Sequence, residues 1–202
     1  MRFSPAFTPS PRLRRRTPQT RTLAIGWQDR AVSTYVMFLR GINVGGVRVP
    51  MPRLREVLTE AGAREVTTWL ATGNVRLAFD GPADDLKTLA ERVLSDEFGY
   101  DAYVLVRDAD ELANILDAWP FTPDHAHHRY VVLGGAPAYD DAQAAIDANP
   151  SDEHVLAAGD DLYWRTLKGA TTTSPVAKVL ARPRWKSTTT TRNLNTLEKM
   201  LA

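Results

Sequence analysis

Residues 34–46 read TYVMFLRGINVGG, and the reading of this stretch decides the fold. Thr34–Arg40 is a short β-prone apolar run that Gly41 stops, which predicts a strand opening into a glycine-rich turn. The same junction returns at Tyr130–Leu133, which runs into Gly134-Gly135. Working outward from the first copy, Met51-Pro52 opens a helix, since proline is tolerated in a first turn. Its apolar stripe is Met51, Leu54, Val57, Leu58 and Ala61, and Gly62 ends it. Arg64–Leu70 and Asn74–Phe79 predict two strands around the turn residues Ala71-Thr72-Gly73-Asn74. Asp84–Phe98 has the period of an amphipathic helix, and Ala102–Val106 predicts a fourth strand. The order β-α-β-β-α-β is the split βαβ, or ferredoxin-like, unit.

A helix marked by Leu112, Ile115, Leu116 and Trp119 follows, and then the plan restarts. Ala138–Ala148 predicts a helix, Glu153–Ala157 and Asp161–Arg165 a hairpin around Gly159-Asp160, and Ser174–Ala181 a short helix. The second pass shows no last strand and ends instead in a helix over Leu194–Leu201. The expected fold is therefore α+β: two tandem ferredoxin-like halves plus a C-terminal helix. Its parts are a disordered basic extension over residues 1–33, a first half with its linking helix over 34–119, a linker over 120–128, and a second half with the final helix over 129–202.

The chain has 202 residues, 44% hydrophobic and 24% charged, the balance of a globular protein. It contains no cysteine, which excludes disulfides, thiolate metal sites and a thiol nucleophile. No apolar run is long enough to span a membrane, and a cytoplasmic location is expected. The formal charge of +1 is a cancellation. Residues 1–33 carry seven arginines and one acid, residues 34–159 ten basic and twenty acidic side chains, and residues 160–202 eight basic and three acidic ones. Arg14-Arg15-Arg16 lacks the apolar stretch and cleavage site of an export signal.

Three polar clusters exceed what packing asks for. The first is Arg40, Gly41, Asn43, Gly45 and Gly46 between a strand and a helix, where glycines let backbone amides converge on an anion. It is not a P-loop, because Val47-Arg48 stands where the Lys-Ser/Thr pair belongs. The second is Thr72-Gly73-Asn74 in the hairpin turn, with Gly73 and Asn74 as the candidate binding residues. The third is Arg192, Asn193 and Asn195, where an arginine precedes a helix start that Thr191 or Asn193 caps. Arg182, Arg184 and Lys186 add positive charge nearby.

LRGINVGG at Leu39–Gly46, TGNV at Thr72–Val75 and TTRNLNT at Thr190–Thr196 together resemble the bacterial domain-of-unknown-function 1697 family. The resemblance spans about residues 34–202 and implies tandem ferredoxin-like halves but no established activity. Members more often carry an aromatic where Leu194 stands and a serine where Thr72 stands.

These residues point to a binder of a phosphate-bearing, nucleotide-like anion, with Arg40 and Arg192 sharing one cleft and no cofactor or metal expected. Two other classes stay open. A single-stranded nucleic-acid binder would use the outer sheet faces, where alternation places Phe38, Trp69 and Arg76, with Tyr163 and Arg165 in the second half. An enzyme on a nucleotide-like substrate would need a carboxylate or histidine in the cleft. The histidines are only His125, His127, His128 and His154, and three of them crowd one DHAHH run that is poorly suited to a metal site.

Overall fold

A computed structural model describes residues 32–202, so the disorder expected for the N-terminal extension falls on residues that lie, save the last two, outside the described ones. The first half runs β1 (Ser33–Arg40), α1 (Met51–Glu60), β2 (Arg64–Trp69), β3 (Asn74–Phe79), α2 (Ala83–Phe98) and β4 (Tyr103–Asp108). The helix α3 (Ala109–Asp117), capped by the Asp108 carboxylate on the Asp110 amide, leads out of it. The second half runs β5 (His127–Leu133), α4 (Tyr139–Ala148), β6 (His154–Ala158), β7 (Asp161–Leu167), α5 (Pro175–Leu180), α6 (Pro183–Lys186), β8 (Thr190–Asn193) and α7 (Leu194–Leu201). The strands form two four-stranded antiparallel sheets, ordered β2-β3-β1-β4 and β6-β7-β5-β8, an arrangement compatible with the tandem plan.

Two expectations change. The stretch TTRN, expected to cap the final helix through Thr191 or Asn193, does cap it through Asn193 but is also β8, the strand missing from the second pass. It pairs with β5 from Tyr130↔Asn193 to Leu133↔Thr190. Four polar residues give no alternation of apolar and polar side chains, so the period that announces a strand is absent. The stretch over 120–128 also ends sooner than expected, because His127 and His128 already pair with Leu167 and Thr166 in the ladder.

Alternation along the strands sorts the core into three clusters. Met37, Leu39, Val75, Leu77 and Val104 pack under α1 and α2. Val132, Leu162 and Trp164 pack under the second set of helices with Ala142 and Val176. The opposite faces of both sheets meet in one shared cluster: Val36 and Phe38 from β1, Val131 and Leu133 from β5, and Tyr163 from β7. Leu112 of α3 and Leu194, Leu197 and Met200 of α7 fill it. Helix α3 lies on β1 and β4, α7 on β5 and β8, and the two helices touch each other. Two polar contacts cross the same junction: the Tyr163 hydroxyl donates to the Ile115 carbonyl at 2.6 Å, and Arg107 reaches Asp161 at 3.1 Å.

This junction bears on the nucleic-acid reading. The outer faces carry the aromatics where alternation put them, but Phe38 and Tyr163 are buried between the sheets and helices and Trp69 packs against the same cluster. A base has no access to stack on Phe38 or Tyr163. The covering elements are α3 and α7, whose apolar stripes need a partner surface and find it on these faces.

Candidate functional site

The glycine-rich turn after β1 and the β2–β3 turn are tied together before any ligand is considered. Asn43, at φ 54°, donates its amide to the Ala71 carbonyl at 2.8 Å and accepts from the Val49 amide at 3.1 Å. Leu39 donates its backbone N–H to the Gly73 carbonyl at 2.8 Å. Asn74 is buried to 1% exposure, and its amide nitrogen donates to the Trp69 carbonyl and to the Thr72 hydroxyl. That fixes the side-chain amide so that its oxygen faces outward to an incoming donor.

The donor is Arg192, contributed by β8 of the other half. Its Nε donates to Asn74 Oδ1 at 2.5 Å. One terminal nitrogen serves the Thr190 hydroxyl at 2.7 Å and the Thr191 carbonyl at 3.0 Å. The other serves the Leu39 and Thr72 carbonyls at 3.3 and 3.2 Å. The guanidinium also lies over the Phe38 ring, 5.4 Å from its centroid. All five N–H groups are therefore committed, and every acceptor is neutral. Burial, reinforced by the like charge of Arg40, pulls this guanidinium down to about 10, so it stays charged at neutral pH, with no carboxylate among the described residues it bonds.

Around it opens a cleft of about 370 Å³ lined by Arg40, Gly41, Asn43, Thr72, Lys186 and Arg192, with Ile42, Val44 and Leu180 as apolar walls. Arg40 is half-buried and is shifted down by that burial, against the raising effect of Tyr103, whose ring lies 5.6 Å away. Val44 projects from the rim at 62% exposure. Among the described residues that line the cleft there is no Asp, Glu or His.

The structure thus brings Arg40, Gly41, Asn43 and Arg192 together, with Gly73 and Asn74 behind them as the turn that holds Arg192. Gly45 and Gly46 lie on the exposed outer part of their turn, away from the cleft lining. Asn193 and Asn195 face a different cavity of about 670 Å³ beside His127, His128 and Lys168. Successive strand residues point to opposite faces, so Asn193 cannot share the direction of Arg192. Asn193 caps α7 by accepting from the Asn195 amide at 2.9 Å, and Asn195 accepts from Arg129 at 2.8 Å. Arg182 and Arg184 are likewise spent elsewhere, both on Asp141, which the Trp185 indole and these guanidinium groups hold below the usual carboxylate range.

Sequence reasoning placed Leu39 and Thr190 inside its motifs but missed that the Leu39 carbonyl and the Thr190 hydroxyl serve as neutral acceptors for Arg192. It also missed how the DHAHH run is used. His127 is buried, with Nδ1 2.7 Å from Asp124 and Nε2 2.9 Å from Asp152, and Arg165 closes the group on Asp124 at 2.8 Å. Among the described residues no group of three or more His, Asp or Glu is arranged to hold a metal ion.

Fold and cleft together define a two-sheet α/β protein whose cationic cleft is assembled from both halves. The chain belongs to the family described as "Protein of unknown function (DUF1697)", whose model matches residues 32–164. The first-half cleft residues lie within that match, and Arg192, Asn193 and Asn195 lie beyond it. Among solved structures, the conserved bacterial protein SP0830 from Streptococcus pneumoniae is similar, with a TM-score of 0.69 and 21% identity over 85% of this chain and 97% of that one. At that identity the likeness speaks for the fold alone. No curated protein matches the chain.

Proposed function

We propose that this protein binds a small phosphate-bearing anion, nucleotide-like in class, in the cleft where β8 meets the two turns of the first half. One observation carries the reading: the Arg192 charge is partly withdrawn from water, sits beside Arg40, and is balanced by no carboxylate among the described residues it bonds. A partly desolvated cation with neutral partners attracts an anion, because solvent screens it less than at an open surface. Since the Arg192 donors are committed, its share is field, and the hydrogen bonds to a phosphate fall to Arg40 and Lys186. The apolar walls suit the non-ionic part of such a ligand. In the same reading the two halves are tandem ferredoxin-like units, which the common strand order supports. Among the described residues the cleft lining offers no carboxylate or histidine in support of the enzyme reading, and the burial of Phe38 and Tyr163 weakens the nucleic-acid reading.

The test is a thermal-shift and calorimetric titration of the full chain with inorganic phosphate, AMP and a single-stranded oligonucleotide at two salt concentrations. Phosphate and AMP are expected to raise the melting temperature, with a stabilisation approaching about 3 kcal/mol at a hundredfold excess over Kd. Arg40→Ala is expected to remove that response. A flat response to both phosphate and AMP overturns the proposal, and a response to the oligonucleotide alone replaces it with the nucleic-acid reading.

A further inference from the structure

The two sheets match in register as well as in order, so positions in one half can be compared with positions in the other. Val36 of β1 pairs with Arg76, the third residue of β3, and with Arg107 of β4. Val131 of β5 pairs with Tyr163, the third residue of β7, and with Arg192 of β8. Arg107 and Arg192 therefore occupy the same place in their halves. Asn74 and Asp161, the first residues of β3 and β7, do so too.

The contacts follow the same pattern. Each arginine turns one terminal nitrogen to the carbonyl just before it, Val106 at 3.1 Å and Thr191 at 3.0 Å. Each then crosses to the other half: Arg107 to Asp161 Oδ1 at 3.1 Å, Arg192 to Asn74 Oδ1 at 2.5 Å. One crossing is an ion pair, largely buried, whose aspartate also accepts from the Gly134 amide at 2.7 Å. The other joins the corresponding residues through Nε rather than a terminal nitrogen, with the counter-charge deleted. A second difference points the same way. Counting from Val36 and Val131, the place of Arg40 is taken in the second half by Gly135, where a Cβ would stand 2.7 Å from the Val132 carbonyl oxygen. At one end of the junction, then, an arginine is neutralised and has no cationic neighbour from the glycine turn. At the other end the arginine is left charged and Arg40 is added beside it.

We propose that Asn74 is the positioning residue that decides which end of this junction takes the anion: by standing where the second half has Asp161, it holds Arg192 in place without cancelling its charge, so that a small phosphate-bearing ligand seats beside Arg40. The inference rests on the anion-binding reading of the same cleft and adds what makes it one-sided. Asn74 need not touch the ligand. An asparagine keeps the oxygen that Arg192 requires and brings the NH₂ that the Trp69 carbonyl requires, and it does so with no formal charge.

The experiment compares the full-length wild-type chain with Asn74→Asp and Asn74→Ser, titrated with inorganic phosphate and AMP in low-chloride buffer. Circular dichroism and melting temperature are recorded for each chain. Asn74→Asp supplies the missing counter-charge and is expected to weaken phosphate and AMP about tenfold or more, from the loss of one favourable charge at short range. Asn74→Ser changes the packing but not the charge and is expected to bind more tightly than Asn74→Asp. Should Asn74→Asp fail to fold, Thr72→Glu brings a carboxylate to the exposed cleft rim, and the same loss is expected of it. A folded Asn74→Asp that binds like wild type overturns the inference while leaving the anion site standing; so does an unchanged Thr72→Glu where that variant has to decide. A wild-type chain that binds neither probe overturns both.

Discussion

A Cβ added at Gly73 would stand 2.7 Å from Leu39 Cβ and 2.9 Å from Ile42 Cδ1, at a φ of 74°. The turn is therefore pressed against the end of β1, and two backbone groups exploit the closeness: the Gly73 carbonyl accepts from Leu39, and the Thr72 carbonyl from Arg192. Gly73→Ala combines backbone strain with a clash against side chains in the core, and a loss of about 2–4 kcal/mol is expected. Chemical denaturation measures it, and because the turn carries Asn74, phosphate binding is expected to weaken with it. At this scale the sequence was informative in part. TGN is a turn by residue type, so its place was legible. Its pressure on Leu39 was not, since that depends on how β1 and β3 are stacked. Arg192 was legible as an unusual arginine, but its use of five neutral acceptors from both halves of the chain has no linear signature.

At the scale of elements, β5 shows how a strand can begin on residues that look like linker. Its first residue, His127, is anchored by Asp124 and Asp152, with Arg165 of β7 bound to Asp124. Hydrogen bonds from Arg165, and then from His127, hold the Asp124 carboxyl well below the usual carboxylate range. Its folded value is thus lower than its unfolded value of about 3.9, so its contribution is fully present above that value and fades as acid protonates the folded chain. Asp124→Asn is expected to be less stable than wild type at neutral pH, with the gap closing as pH falls below about 4. Urea unfolding at a series of pH values checks it; a gap that widens in acid would count against the anchor. The apolar periods of α1, α2 and α7 made those helices readable, α7 to the residue. β8 and the start of β5 were unreadable because charged and hydroxyl side chains occupy them, and their strand geometry comes from neighbours in the ladder.

On the scale of the whole molecule, the two halves share one buried cluster and cannot part without exposing Phe38, Leu133 and Tyr163 to water. The Arg107–Asp161 pair and the Arg192 contacts would be broken at the same time. A single cooperative unfolding transition is expected, with calorimetric and van't Hoff enthalpies in agreement. Two resolved transitions would mean that the halves hold independently. The charge pattern is also set at this scale. Residues 34–202 carry eighteen basic and twenty-three acidic side chains, so the cationic cleft lies within an otherwise acidic body. In the proposed reading, the acidic surround of residues 34–202 suits a compact anion that fits the cleft better than a strand lying across the surface of these residues.

The order in which the chain is made gives the Arg192 crossing a further meaning. The sheet of β1 to β4 can close as soon as β4 has been synthesised, but the partner of Asn74 arrives 118 residues later. During synthesis the glycine turn and the hairpin exist for some time with Arg40 but without Arg192, and the cleft is completed only when β8 slots beside β5. In the proposed reading, a half-made or mispaired chain has the turns but not the completed site, so phosphate binding would report on finished assembly as well as on the ligand.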